Sequence, residues 1–235
     1  SMFGLTMFDV ISTIMKPIEK IMTGLPGYVT VVLIMQLLWW FGIHGPNVMG
    51  AVTGPFMTKM MAQNLELYQA GEGITASGVF YTAGSKYSII ANPFASGWFG
   101  PTGSGITMGL IIAVMLFSKR DDFKAIAKLA IPCGIFNINE PIIFGIPMVM
   151  NAMFAVPFFL APVACVCCGY LVQSLGLCPL FVIDVPWTTP VGLFGFLASS
   201  GNIMGAIWQA VIILGVSTLI YTPFVIAANR QEAEA

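Results

Sequence analysis

The chain has 235 residues, 57% hydrophobic and 8% charged, with a formal net charge of −1. Soluble domains carry about 25% charged residues, so nine basic and ten acidic side chains are too few to cover a water-facing surface of this size. Lipid is therefore the expected solvent for much of the molecule, and the missing basic face excludes nucleic acid as a partner. The 25 glycines suit helices packed closely in a membrane, where small residues let backbones approach.

Residues 6–23 place Phe8, Ile11, Ile14, Met15, Ile18, Ile21 and Met22 at helical spacing, with Asp9, Lys16, Glu19 and Lys20 largely on the other face. Residues 1–27 thus read as an amphipathic interfacial or linker helix, ended by Leu25-Pro26-Gly27. Ser1 before Met2 reads as a tag remnant, and the chain is expected to be a fragment. Tyr28 to Ile43 is apolar except for Gln36 and, with its flanks, is long enough to span. It runs into Trp39-Trp40-Phe41-Gly42-Ile43-His44-Gly45-Pro46, which contains the only histidine. Residues 45–104 are rich in Gly and Pro and carry Lys59, Glu66, Glu72 and Lys86, which predicts a broken or re-entrant segment plus an exposed loop.

A second span is expected over 99–118, followed by Lys119, Arg120, Lys124 and Lys128. A third covers 142–171, kinked by Pro147, Pro157 and Pro162, and residues 179–202 form a second broken segment. The last span, 203–228, stops at Arg230 before a cytoplasmic tail, 231–235. The expected fold is an all-α polytopic membrane protein, with 28–230 as one membrane-embedded domain. It has about four to five spanning helices, two re-entrant or broken-helix hairpins and the N-terminal amphipathic helix. The basic residues put the C-terminus in the cytoplasm by the positive-inside rule.

Glu140 is the sharpest chemical feature. It lies in Asn137-Ile138-Asn139-Glu140-Pro141, with no basic residue closer in sequence than Lys128. An unpaired acid inside a membrane segment costs several kcal/mol to bury, so it is expected to face a polar cavity or to become neutral. The competing reading is a helix cap or an ion pair at a membrane boundary. Pro141 frees backbone groups, while Asn137 and Asn139 add amide donors and acceptors, a set that suits a polyhydroxyl ligand. His44 reads either as an interfacial histidine satisfied by backbone or as a partner for a solute hydroxyl. Trp39 and Trp40 fit a headgroup belt; Trp187, in a Pro-bounded polar segment, has an indole face suited to stacking on a sugar. Cys133, Cys165, Cys167, Cys168 and Cys178 lack metal-ligand spacing, so no metal or cofactor is expected and the thiols read as apolar packing.

Gly42-Ile43-His44-Gly45, Asn139-Glu140-Pro141 followed by Gly145-Ile146-Pro147, and Pro186-Trp187-Thr188-Thr189-Pro190 occur in that order. Together they resemble the membrane permease (IIC) component of bacterial phosphoenolpyruvate-dependent sugar phosphotransferase systems, in the lactose/cellobiose/diacetylchitobiose branch. The resemblance runs over nearly the whole chain but matches only the C-terminal half of such a permease. It implies a protein of the bacterial inner membrane that binds a β-linked disaccharide between re-entrant hairpins. His44, Asn139 and Glu140 would hydrogen-bond the sugar, with Trp39 and Trp187 against its rings. It further implies IIB and IIA partners, phosphorylation of the sugar from a IIB cysteine, and a homodimer formed through the N-terminal half. None of the five cysteines lies in a soluble phosphate-binding loop, so this chain is not expected to carry the phosphoryl group itself. Two alternatives stay open: an ion-coupled transporter with Glu140 as proton carrier, and a non-transporting membrane fragment.

Overall fold

The computed structural model describes residues 24–75, 78–82 and 84–233, with side chains described to residue 230. The amphipathic helix expected before residue 24 lies outside the described residues. The chain is mostly helical. α1 (Leu25–Trp40) and α2 (Gly45–Gln69) pack against one another and are followed by a two-residue-per-strand hairpin, β1 (Ile74–Thr75) with β2 (Gly78–Val79). Then come α3 (Asn92–Trp98), α4 (Met108–Phe117), α5 (Asp121–Ile135), α6 (Glu140–Gly145), α7 (Ala152–Ser174), α8 (Leu193–Ala198) and α9 (Ile203–Ala210). A π-helical stretch, Val211–Val216, joins α9 to α10 (Ser217–Ala233).

α1 starts with Pro26 in its first turn, where a missing N–H costs nothing. It stops at Trp40: the Phe41 N–H closes back on the Leu37 and Leu38 carbonyls, and Gly42 turns the chain at φ +81°. α2 then starts in tight contact with α1, because a Cβ on Gly45 would lie 2.0 Å from the Met35 carbonyl oxygen. Only glycine fits at that crossing, and this fixes where His44 sits.

The buried apolar side chains form two cores. The first joins Tyr28, Val31, Val32 and Met35 of α1 to Phe94 and Trp98 of α3, the C-terminal part of α7, and the extended chain from Cys178 to Val185. The second joins α4, α5 and α6 to Phe154, Phe158 and Ala161 of α7 and to Tyr221, Val225 and Ala228 of α10; Trp39 belongs to it. The five cysteines are free, with Cys165 and Cys178 buried.

Two broken segments have the same design: an extended stretch, a helix of about two turns, a reversal, and a longer apolar helix. One is α3, the run of turns over 99–107, and α4; the other is 178–192, α8, the turn at 199–202, and α9. The buried Gln209 of α9 fastens them together. Its Oε1 accepts from the Gly192 and Gly195 N–H groups at 2.8 Å each, and its Nε2 donates to the Gly97 carbonyl at 3.0 Å.

Several expected boundaries shift. Residues 45–69 form one continuous 25-residue helix through Pro55, so the first broken segment is confined to 92–107. The span expected over 99–118 becomes helical only at Met108, because Thr102, Gly103, Gly105 and Ile106 all have positive φ. The span expected over 142–171 is two helices, with residues 146–151 turning between them where Pro147 interrupts the helix. α5 was hidden behind its charge run; Phe123, Ala127, Ala130 and Gly134 give it a buried stripe at helical spacing. Among the described residues, Ala152–Ser174 and Ile203–Arg230 are the helices long and apolar enough to cross a membrane, by length and composition. Leu25–Trp40 and Met108–Phe117 are apolar but shorter.

Candidate functional site

His44 is the N-cap of α2. Its Nδ1 accepts from the Asn47 N–H at 3.2 Å, so the ring hydrogen sits on Nε2 and that edge is left as a donor. The imidazole is exposed and lies 4.9 Å, centroid to centroid, from the buried Trp39 ring. Trp39 packs in the same core as Ile142, Ile143 and Ile146, the buried residues of α6 and its end. The Met150 N–H reaches the Trp40 carbonyl at 3.3 Å, a second tie between the end of α1 and the chain after α6. The histidine turn and the helix that begins with Glu140 are therefore held to one another.

Asn137 and Asn139 are buried, and their side chains build the site's frame. Asn137 sits at φ +67°, a conformation that asparagine tolerates better than most residues. Its Oδ1 accepts from the Thr102 N–H at 2.7 Å, and its Nδ2 donates to the carbonyls of Trp187 and Thr189. One amide thus joins the end of α5, the turns before α4 and the Pro186–Pro190 segment. The Asn139 Nδ2 donates to the Ser104 carbonyl at 2.6 Å, and a Cβ on Gly103 would come within 2.3 Å of the Asn139 side chain. Glycine at 103, with φ +75°, lets these two strands of chain touch.

Glu140 departs from expectation: it is exposed, not buried. The flanking asparagines take the inward positions, and Pro141 starts α6 so that the carboxylate leaves from its first turn. Acid in a first helical turn is favoured by the unpaired N–H groups there. No hydrogen bond or ion pair engages Glu140 among the described residues, so both its oxygens are available. Trp187 is 59% exposed, with its backbone pinned by Asn137 and its indole outward. Of the six residues singled out from sequence, His44 and Trp39 come together, as do Asn137 and Trp187. Asn139 and Glu140 adjoin Asn137 in the chain. Two hollows are present: one of about 440 Å³, lined by Met108, Ile111, Ile131 and Val191 and bordered by Thr102 and Pro190 of the Asn137 frame, and one of about 470 Å³ around Phe80 and Asn202.

Sequence reasoning missed Thr102, Ser104 and Gln209 as framework partners. The signal for Gln209 was present, as a lone amide in an apolar helix opposite a glycine-rich segment; Thr102 and Ser104 act through backbone and left none.

Asn137→Asp tests the frame. Aspartate keeps the shape and tolerates positive φ, but it turns two donors into acceptors facing carbonyls. The expected loss is on the order of 2 kcal/mol, with faster hydrogen exchange at residues 186–191. Wild-type exchange in that peptide would show that Asn137 does not hold Trp187.

The family described as Phosphotransferase system, EIIC, matches residues 2–162. The PTS system cellobiose-specific EIIC component of Lactococcus lactis is 36% identical over 234 residues, covering 93% of this chain and 46% of that protein. The PTS system oligo-beta-mannoside-specific EIIC component of Bacillus subtilis is 34% identical over 231 residues, covering 97% and 49%. The crystal structure of the transporter ChbC, the IIC component from the N,N'-diacetylchitobiose-specific phosphotransferase system, matches with a TM-score of 0.86 at 33% identity, covering 98% of this chain and 52% of that one. The chain thus spans about half the length of the relatives it matches. It belongs to the phosphotransferase system EIIC family.

Proposed function

We propose that this chain is the sugar-binding half of a permease that takes up a β-linked disaccharide of the cellobiose or diacetylchitobiose type and presents it to a phosphorylated IIB partner. The observation that carries the reading is the Asn137 clamp, which holds the outward-facing Trp187 segment to the turn where the unpaired Glu140 begins α6. Glu140 accepts from sugar hydroxyls, and the His44 Nε2–H donates to the hydroxyl that receives the phosphoryl group. Trp187 stacks on an apolar sugar face, while Trp39 backs the imidazole. Asn139 offers its Oδ1, which has no hydrogen-bond partner among the described residues. Asn137, with both ends of its amide engaged, contributes by positioning its neighbours.

In this reading residues 28–230 form one membrane-embedded domain of a multi-pass inner-membrane protein, with four to five spans and the two broken segments as re-entrant hairpins. The residues before α1, which begins at Leu25, link it to an N-terminal half that makes the homodimer. The C-terminus is cytoplasmic. In support, Asn229 donates to the Phe117 carbonyl at 2.9 Å and accepts from the Lys119 N–H at 2.8 Å. These bonds bring the end of α10 and Arg230 to the basic corner before α5, so the positive charges gather at one end. There Arg120 hydrogen-bonds Asp122 and holds its carboxyl below the usual range.

Uptake by membrane vesicles containing the full-length permease tests the reading. Phosphoenolpyruvate-dependent accumulation of sugar phosphate, in the presence of IIA and IIB, is the expected result. Free sugar inside, with uptake abolished by a protonophore, would replace it with ion-coupled transport.

A further inference from the structure

The two apolar cores meet along a boundary crossed by α1, by the turn after it, by the chain before α4, by α7 and by the last helix, and every crossing but that within α1 is irregular. In α7 the boundary falls between Ala161 and Cys165, at Pro162. In the last helix it falls between Ile213 and Tyr221, where the π-helical stretch ends and the Ser217 hydroxyl bonds back to the Ile213 carbonyl. Before α4 it falls between Ile106, at φ +50°, and Leu110. In α1 it falls between Met35 and Trp39, and the residue between them on the buried face is Gln36. Prolines and π-helical turns are places where helices bend.

Gln36 has 0% exposure, yet neither its Nε2 nor its Oε1 has a hydrogen-bond partner among the described residues. A buried amide left unpaired costs free energy and calls for a partner. One turn further along the same face, the Nε1 of the buried Trp39 is also unpaired, and Trp39 stands beside His44. We propose that Gln36 is a further sugar-contacting residue, reached when the cores part along this boundary. Its amide donates to one hydroxyl of the disaccharide and accepts from the next, with the Trp39 N–H as an adjoining donor. An amide suits this role because it offers a donor and an acceptor side by side, as neighbouring sugar hydroxyls do. The proposal rests on the disaccharide reading above.

The test compares the wild-type chain with Gln36→Met and Gln36→Leu, which keep similar volume and remove the amide. The ligand-free melting temperature is expected to stay the same or rise, because an idle buried amide is lost. Calorimetric affinity for cellobiose and N,N'-diacetylchitobiose is expected to fall about tenfold. Unchanged affinity in either variant would overturn the proposal. So would a lower ligand-free melting temperature in both variants, which would show that the amide is already satisfied, as by a permanently bound water. If the wild-type chain binds no sugar, the disaccharide reading fails first and this inference with it; a Gln36-specific failure is recognised by intact wild-type binding.

Discussion

Glu140→Gln is expected to weaken cellobiose binding about ten- to a hundredfold, the loss of a charged hydrogen bond worth about 1.5–3 kcal/mol. The ligand-free protein should melt close to the wild-type temperature, because the carboxylate is exposed, no described residue bonds to it, and the first-turn charge given up is worth about 0.3–1 kcal/mol. That dissociation separates a ligand-binding acid from a structural one. The amide is nearly isosteric and still accepts through one oxygen, so geometry is preserved while charge is removed. His44→Ala should weaken binding in the same direction. It also removes the cap on the Asn47 N–H, so some stability goes with it, typically about 1 kcal/mol. Calorimetry and thermal melting on the same preparations check both; wild-type affinity in Glu140→Gln would remove this acid from the site.

Gln209→Leu is expected to cause the largest loss of stability among the substitutions considered. It strands the buried Gly195 N–H and Gly97 carbonyl and the half-buried Gly192 N–H. Each unsatisfied buried group costs about 1–3 kcal/mol, so the two buried ones alone cost roughly 2–6 kcal/mol, a large share of the whole stability of a domain. Water cannot rescue these groups if the hairpins lie in lipid. The melting temperature should fall on the order of 10 °C or more, measured by size-exclusion after heating. Gln209→Glu keeps the acceptor for both glycine amides and gives up the bond to Gly97, so it should fall in between. A Leu variant as stable as wild type would mean that the two broken segments are not held through this residue.

Some of this was legible in the sequence because lipid and backbone chemistry leave direct marks. The apolar runs ending at Trp40, Phe117, Ser174 and Arg230 announce helices, and the second broken segment is visible from Pro186, Pro190 and the Ser199–Asn202 cluster. Three motifs in order carried the family. What stayed hidden depends on tertiary contact. Positive φ at Thr102 and Ile106 has no local sequence signal, since neither residue type favours it, so the start of α4 was misplaced by nine residues from Phe99 to Met108. The roles of the asparagines were also beyond reach. A polar pair beside an acid looks like a ligand set, and only the bonds to Thr102, Ser104, Trp187 and Thr189 reveal that the pair also forms a frame. Burial of Glu140 was inferred from apolar neighbours in sequence, but Pro141 starts a helix there and sends the side chain outward.

The central claim is that this half-length chain holds a disaccharide through Glu140 and His44. Titration calorimetry of the purified chain with cellobiose and N,N'-diacetylchitobiose tests it most directly. The account predicts saturable binding of at least one of the two, lost in Glu140→Gln at a melting temperature close to that of the wild type. Absence of binding by a folded wild-type chain, or binding indifferent to Glu140 and His44, would contradict it.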